Sequence, residues 1–564
     1  MSKRILIVGG VAGGASVAAR IRRLDEDAEI VMFERGPHVS FSNCALPYHL
    51  SGDIADSNRL VLMNPEKFDD QYKIEARTNS EVVKINRDKN TITVKNVQSG
   101  EEYEEAYDKL VLSPGANPIV PPLEGVNSDH VFTVRNVVDI EKLNTHVQKE
   151  HIEEIAVIGG GFIGIEVAEN LAHAGKKVSL VEAQDQVMAP FDNDMVQILH
   201  KEMMDKGINL VLSDGIDKVE ENAIVLQSGK KVGAQAVVMA IGVRPETALA
   251  KDAGLEIGVT GGIKVNHNYA TNDKDIYAVG DAIEVHHKIT GQKTRLALAG
   301  PAQRQARAAA DHIYGIPHRN TGVIGSSAIK VFDLNAASTG INEKTAKAAN
   351  IDYDYVYVIP TDKVGIMPGS NVMHFKLLFE VPTGKILGAQ AIGKGNVDKR
   401  IDVIATMIMM NGTLEDLKEL ELVYSPVYGT AKDVVNFAGL VGLNILNGQV
   451  KQVKVSDIRD LVESDAYIID ARERKEYEAG HLVNAKNVPL SEFRNRLEEI
   501  PTDRPVYIHC RSGQRSYNVV ASLNNMGYDN VYNVSGSFLG VSLYEYFTDQ
   551  VKERNPIVTK YNFK

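Results

Sequence analysis

Apolar residues in this chain gather into short continuous runs that end at glycine or at an acid. That pattern predicts buried parallel strands alternating with helices. Arg4 to Val8 is the first run, followed by Gly9-Gly10-Val11-Ala12-Gly13-Gly14 and a helical pattern through Leu24. Ile30-Val31-Met32-Phe33 is the next strand and ends at Glu34. The order repeats at Ile155-Ala156-Val157-Ile158, with Gly159-Gly160-Gly161-Phe162-Ile163-Gly164, a helix expected over Ile165 to His173, and a strand from Val178 to Val181 ending at Glu182. Lys109 to Leu112 runs into Ser113-Pro114-Gly115-Ala116, and Val237 to Ile241 into Gly242-Val243-Arg244-Pro245. Thr271 to Asp281 delivers an aspartate at a strand end, and an Ala- and Arg-rich helix is expected from Pro301 to about Tyr314.

Residues 325 to 440 change character, with β-rich segments at Tyr353 to Ile359 and His374 to Phe379, then helices through Met407 and Asp416. A loop at Val423-Tyr424-Ser425-Pro426-Val427-Tyr428 follows, and Leu440 to Val453 reads as a connector. A new compact unit begins at Val455. Its strand Val506-Tyr507-Ile508-His509 runs into Cys510-Arg511-Ser512-Gly513-Gln514-Arg515-Ser516 and a helical pattern.

The glycine turns carry the first chemistry. Glycine lets the backbone approach a pyrophosphate while the helix N-terminus faces its charge. Gly159, Gly161 and Gly164 fit G-x-G-x-x-G in full, whereas in the first turn Gly9 and Gly14 fit and Val11 stands at the middle position. Glu34 and Glu182 stand where a carboxylate binds ribose hydroxyls. An acid at 182 accepts from a free 2′-hydroxyl and repels a 2′-phosphate, so NADH is favoured over NADPH. Asp281 is a candidate for a ribityl hydroxyl or for a cap.

Composition narrows the class. At 564 residues the chain should hold about three to five domains. A formal charge of -12 argues against a nucleic-acid binder. Two cysteines make no disulfide framework and point to a reducing cytosol. No signal-peptide layout is present and no apolar run reaches the roughly 18 to 20 residues that span a bilayer, so a cytoplasmic protein is expected.

The two thiols are the candidate reactive groups. Ser40-Phe41-Ser42-Asn43-Cys44-Ala45-Leu46-Pro47-Tyr48 holds a lone cysteine, so any sulfur partner must come from elsewhere. Arg20, Arg22 and Arg23 precede it on the first helix, as a solvated face or as a site for a phosphate-bearing thiol substrate. Cys510, at a strand end curled over a helix start, faces inward backbone N–H groups that cradle an anion, with Arg511 and Arg515 adding charge.

Taken together, these motifs resemble the pyridine-nucleotide disulfide oxidoreductases over roughly residues 1 to 445. Ser40-Phe41-Ser42-Asn43-Cys44, with Gly10 to Gly14 and Ala45 to Tyr48, is similar to the single-cysteine signature of the coenzyme A disulfide reductases. Asp470-Ala471-Arg472, Gly480-His481-Leu482 and the loop Cys510 to Arg515 resemble a rhodanese domain. The whole is similar to coenzyme A disulfide reductase–rhodanese fusions.

The resemblance implies an α/β chain: two Rossmann-like nucleotide-binding domains, an α+β dimerisation domain and an α/β rhodanese domain. FAD binding would take 1–115 and 244–324, NADH binding 116–243, dimerisation 325–445, a linker 446–454 and the rhodanese domain 455–564. It implies cofactor contacts at Gly9, Ala12, Gly13, Gly14, Glu34, Arg35, Ser113, Gly115, Asp281 and Ala299, and at Gly159, Gly161, Phe162, Ile163, Gly164, Glu182 and Gly242. Coenzyme A would meet Arg20, Arg23, Ser40 and Asn43; Cys44, Cys510, Tyr424, Tyr428 and Arg515 would be catalytic, and no metal is expected.

In that family two tyrosines reach the active site from the partner subunit of a homodimer. Tyr424 matches one, and the other position falls near Ile366-Met367-Pro368-Gly369, where no tyrosine stands. The implied activity is NADH-dependent, FAD-mediated reduction of a coenzyme A persulfide, polysulfide or disulfide through a mixed disulfide at Cys44. Cys510 would carry sulfane sulfur, hydrogen sulfide would be released, and the partners would be small thiols rather than nucleic acid or membrane. The alternative is an NADH oxidase or peroxidase cycling through a Cys44 sulfenic acid; such relatives carry a histidine where this chain has Ala12.

Overall fold

The computed structural model describes residues 2–563. The chain forms two compact units: one runs through Asp185 and resumes at Val211–Val323, the other combines Gln186–Leu210 with Ile324 onward.

The first unit is built on two parallel sheets. One has the order Ile276–Ala278, Lys109–Leu112, Arg4–Val8, Glu29–Phe33, Glu75–Arg77. Its register sets Val8 opposite both Phe33 and Leu112, and Leu112 opposite Ala278. The strands therefore end level, and Gly9, Glu34, Ser113 and the Gly280-Asp281 turn all emerge along one edge, the carboxyl-end crevice where open α/β sheets bind ligands. Ile5, Leu6 and Ile7 have no exposed surface, which explains why this strand reads as unbroken apolar sequence. Helices Ala12–Leu24 and Ala299–Ile313 pack on each other, the second through the buried Ala306, Ala309 and Ala310. Its start lies before the expected Pro301, so Ala299 forms its first turn.

The second sheet of this unit runs Lys177–Glu182, Glu154–Ile158, Ala236–Met239, Val131–Phe132. Its helix spans Phe162–His173 and so begins closer to Gly161 than expected. A two-stranded ribbon of Ala116–Pro118 and Val243–Pro245 marks where the chain crosses between the two halves. Gly115 and Gly242 flank it with φ of 75° and 110°.

The second unit holds an antiparallel sheet in the order Ser327–Val331, Leu334–Gly340, Ile386–Gly393, Met373–Glu380, Tyr353–Val358. Helix Asn193–Asp205 joins this unit although it falls inside the stretch expected to bind NADH. An ion cluster fixes it: the fully buried Lys376 ammonium lies 2.7 Å from Asp194, 3.1 Å from Asp192 and 2.6 Å from Glu343. A buried charge is tolerated only when paired in this way.

The region read as a connector is largely ordered structure. Val434–Leu446 is a helix, because Val434, Val435, Ala438 and Leu443 recur at helical spacing and are buried. Gln452–Val453 is already an edge strand of the C-terminal parallel sheet, whose order continues Val531–Val534, Val506–His509, Tyr467–Asp470, Lys486–Asn487. Among the described residues, no helix is long and apolar enough to cross a membrane.

Candidate active site

The two glycine turns of the first unit share one construction. Gly9 N–H donates to Phe33 O and Gly159 N–H to Val181 O, each at 2.8 Å. A methyl group on Gly14 would sit 1.8 Å from Gly9 O, and one on Gly164 would sit 1.9 Å from Gly159 O, so neither position admits a side chain. The acids do matching work. Glu34 accepts from Gly10 N at 3.0 Å and Gly36 N at 2.9 Å; Glu182 accepts from Gly160 N at 2.7 Å and Gln184 N at 2.8 Å. Each carboxylate thus holds its glycine turn open while remaining partly exposed.

The turns differ at the helix cap, which is Val11 in the first and Gly161 in the second. Gly161 is exposed and a methyl there would meet nothing within 4 Å, which leaves room for a phosphate. The next two positions are Ala12 and Gly13 in one turn, Phe162 and Ile163 in the other. A methyl on Gly13 would lie 2.4 Å from Ser113 Oγ, which would have to turn away.

Asp281 stands across this crevice at the sheet edge. It is half-buried, burial pushes its carboxyl up, and among the described residues it accepts no hydrogen bond. An unpartnered carboxylate of this kind fits a ligand hydroxyl better than a cap. The residues present therefore fit the FAD and NADH expected of these two crevices. Arg35 is exposed and shared between Asn117, at 3.2 Å, and the more distant Glu81 and Glu246.

Cys44 lies on the 3-10 turn Asn43–His49, which packs against the helix Phe162–His173 of the second glycine turn. Ser40 brings the chain there: its backbone adopts φ of 47° and its N–H donates to Gly10 O at 2.8 Å. The Cys44 side chain is exposed, and no side chain among the described residues donates to its sulfur. Desolvation pushes the thiol up, and the Glu166 and Asp281 carboxylates push the same way, against its own backbone amide. Cys44 therefore senses both crevices, Asp281 from one and Glu166 from the helix of the other.

Glu166 is the functional candidate that sequence reasoning missed. Burial and then neighbouring Glu169 push its carboxyl up to about 7. Its signal is an acid two residues past Gly164 inside the otherwise apolar Phe162-Ile163-Gly164-Ile165-Glu166-Val167-Ala168.

The three arginines of the first helix do not form one patch. Arg22 is buried and donates to the carbonyls of Tyr72, Lys73, Asp25, Glu26 and Ala28, which is structural work. Arg20 is held by Asp311 at 2.6 Å. Arg23 is exposed with no ion pair among the described residues, which leaves it open to an anion. The Ser40 hydroxyl has no partner among the described residues, and Asn43 is exposed with its amide 3.3 Å from Arg135 O.

The second thiol, Cys510, ends the strand Val506–His509 and is 1% exposed. Its sulfur accepts from Gly513 N at 3.2 Å, Ser516 Oγ at 3.5 Å and Ser537 Oγ at 3.9 Å. Gly513 reaches this position with φ of 102°. Arg515 is fixed by a bidentate pair with Glu476 at 2.6 and 2.7 Å. Below the loop, buried Arg472 spans Asp470, 2.6 Å away, and Gly480 O, at 2.7 Å, which explains the pairing of Asp470-Ala471-Arg472 with Gly480-His481.

Tyr424 and Tyr428 lie on an exposed loop, 53% and 73% exposed, with hydroxyls that bond no group among the described residues. Arg400 anchors that loop to Asp433 at 3.1 Å and to Tyr428 O at 3.3 Å.

Two level nucleotide crevices with a lone thiol between their charges, followed by a sulfur-cradling loop, define a class of disulfide oxidoreductase joined to a sulfur-transfer module. Residues 3–306 match the pyridine nucleotide-disulphide oxidoreductase family, 326–432 its dimerisation domain, and 454–543 the rhodanese-like domain. The chain belongs to the pyridine nucleotide-disulphide oxidoreductase family. A coenzyme A disulfide reductase of Staphylococcus epidermidis is 36% identical over 77% of this chain and 99% of its own length. Among solved structures, reduced Bacillus anthracis CoADR-RHD is 45% identical with a TM-score of 0.94, covering 98% of this chain and 99% of its own. An NAD-dependent persulfide reductase from A. fulgidus is 33% identical with a TM-score of 0.90, covering 95% and 99%.

Proposed function

We propose that the chain is an NADH-dependent FAD enzyme that reduces a coenzyme A persulfide, polysulfide or disulfide through a mixed disulfide at Cys44, with Cys510 carrying sulfane sulfur. The observation that carries this reading is the placement of one exposed thiol within the electrostatic reach of both Asp281 and Glu166.

Bound NADH and FAD supply the two reducing electrons. Glu34 and Glu182 hold the two turns and would bind the ribose hydroxyls, and Asp281 would hold a hydroxyl of the FAD chain. The Cys44 thiolate attacks the inner sulfur of the substrate, forms a Cys44–S–S–coenzyme A bond, and expels hydrosulfide from a persulfide or coenzyme A thiolate from a disulfide. Two electrons and a proton then return Cys44 to thiolate and release coenzyme A as a thiol. Glu166, titrating near neutrality, is suited to hold that proton. Arg23, Ser40 and Asn43 bind the coenzyme A body, and Arg20, one turn before Arg23 on the same helix and held by Asp311, contributes to the same charge. Cys510 accepts sulfur with its donors in place, and Arg515 completes the anion cradle.

We assign a homodimer in which Tyr424 and Tyr428 serve the partner's site. Ile366, Val423 and Val427 support it as exposed apolar neighbours on the same domain, 90%, 100% and 45% exposed. The two unpaired cysteines support a cytoplasmic location. Anaerobic NADH oxidation with coenzyme A persulfide and coenzyme A disulfide, with sulfide measured, tests the activity. Oxidation that requires oxygen and yields peroxide or water would favour the oxidase instead.

A further inference from the structure

Beside the Cys510 loop lies a cavity of about 350 Å³, within the range of small-molecule sites. Its walls are apolar: Leu539 and Leu543 of the helix Ser537–Lys552, Ile198, Leu334, Val372 and Phe563. Two of these wall residues touch the active loop directly. Leu539 N–H donates to Arg511 O at 3.0 Å, and the Arg511 guanidinium donates to Phe563 O at 3.4 Å.

Two lysines, one acid and one histidine are among the polar groups around this cavity. Lys394 is exposed and makes no ion pair among the described residues; Asp333, whose charge it feels, is held by Lys206 at 2.8 Å. Lys201, paired with Asp205, lies 4.4 Å over the Phe563 ring. The one acid in the lining, Glu202, is occupied by Asp333 N at 3.1 Å and lies 3.9 Å from Lys206. His374 is 4% exposed; its Nδ1 bonds the Tyr357 hydroxyl at 2.8 Å, and its other ring nitrogen has no partner among the described residues. Burial, and then the nearby Arg511 charge, keep that ring neutral. An apolar slot with one free cation, Lys394, at its rim and one unbonded ring nitrogen in its wall suits an anion with an apolar arm.

We propose that this cavity binds the thiol that collects sulfur from Cys510, a low-molecular-weight thiol with an apolar arm and an anionic end, on the evidence of its walls, its lysines and its contact with Arg511. The phosphopantetheine arm of coenzyme A and an acidic thiol peptide share that chemistry. The step balances without an outside oxidant: the bound thiolate attacks the outer sulfur of the Cys510 persulfide, the Cys510 S–S bond breaks, Cys510 leaves as thiolate, and the acceptor departs as a persulfide. This rests on the reading of Cys510 as a sulfur carrier.

The test uses the full chain with Cys510 charged from labelled thiosulfate. Sulfur transfer is measured to coenzyme A, to glutathione and to cyanide, an acceptor too small to need the slot. Lys394→Glu is expected to raise the KM of the thiol acceptors about five-fold, and Leu543→Trp, which fills the slot, about ten-fold or more. Cyanide transfer stays within about two-fold in both. A response confined to coenzyme A identifies the phosphopantetheine source, and one confined to glutathione the peptide source.

Unchanged KM values for both thiols in Lys394→Glu would overturn the proposal, as would equal losses for thiols and cyanide. Calorimetry of the same thiols with the Cys510→Ser chain separates the two ideas. Lys394-sensitive binding without any labelling of wild-type Cys510 keeps the site and sinks the carrier reading; the absence of Lys394-sensitive binding overturns the site.

Discussion

Cys44 and Cys510 are the two cysteines of the chain, and they are housed in opposite ways. Cys44 is exposed, has only its own backbone amide as a donor to its sulfur among the described residues, and faces carboxylates that oppose its ionisation. Cys510 is almost fully buried and its sulfur meets three donors from its own loop and from Ser537. A thiol whose setting the fold completes can store a sulfur atom between encounters. A thiol left open between two crevices reacts when cofactor and substrate complete its surroundings. Storage and exchange ask for different housings.

The largest expected effect breaks the pair outright. Cys44→Ser should lower kcat/KM for coenzyme A persulfide by about 10³-fold or more, while NADH still reduces the flavin in stopped-flow traces and Cys510 still takes up sulfur from thiosulfate. Next comes the housing of the other thiol. Ser537→Ala removes the acceptor of the Cys510 N–H, at 3.1 Å, and one donor to its sulfur, and should slow sulfur uptake about ten-fold, with reduction of coenzyme A disulfide intact.

Gly161→Ala sharpens the contrast on the electron-supply side. The added methyl meets no protein atom, so the fold stands, but it occupies the phosphate approach. KM for NADH should rise several-fold in steady-state assays, and sulfur loading of Cys510 should not change.

The smallest effect concerns pH. The Glu166 carboxylate raises the Cys44 pKa, and Glu166 itself titrates at about 7. Above that pH its negative charge opposes thiolate formation; below it the opposition fades. Glu166→Gln should therefore shift the alkylation profile of Cys44 to lower pH, raising the rate near pH 8 about three-fold. A shift to higher pH would contradict the assigned sign.

Much of this was legible because it depends on local spacing. The clash of Gly14 with Gly9 O and of Gly164 with Gly159 O makes those glycines obligatory at fixed intervals, so both turns stand out in one sequence. The Cys510 loop is equally local. What escaped depends on tertiary partners. Arg20, Arg22 and Arg23 look alike along the helix, yet only the folded chain commits Arg22 to carbonyls from Tyr72 and Lys73 and Arg20 to Asp311. Glu166 reads as one more helix acid until the Cys44 turn packs against it. The placement of Asn193–Asp205 with the second unit rests on Lys376, distant in sequence, and no local pattern announces it. The helix Val434–Leu446 was partly hidden because the connector expected from Leu440 overlaps its second half; there Gly439 and Gly442 face Lys418 and Leu414 at close range.

The most direct test follows sulfide and NADH together, without oxygen, using coenzyme A persulfide and three forms of the full chain. The account predicts one sulfide per NADH in the wild type, none above background in Cys44→Ser, and a retained rate in Cys510→Ser, since preformed persulfide needs no carrier. Sulfide release that survives in Cys44→Ser, or that vanishes in Cys510→Ser, would contradict it.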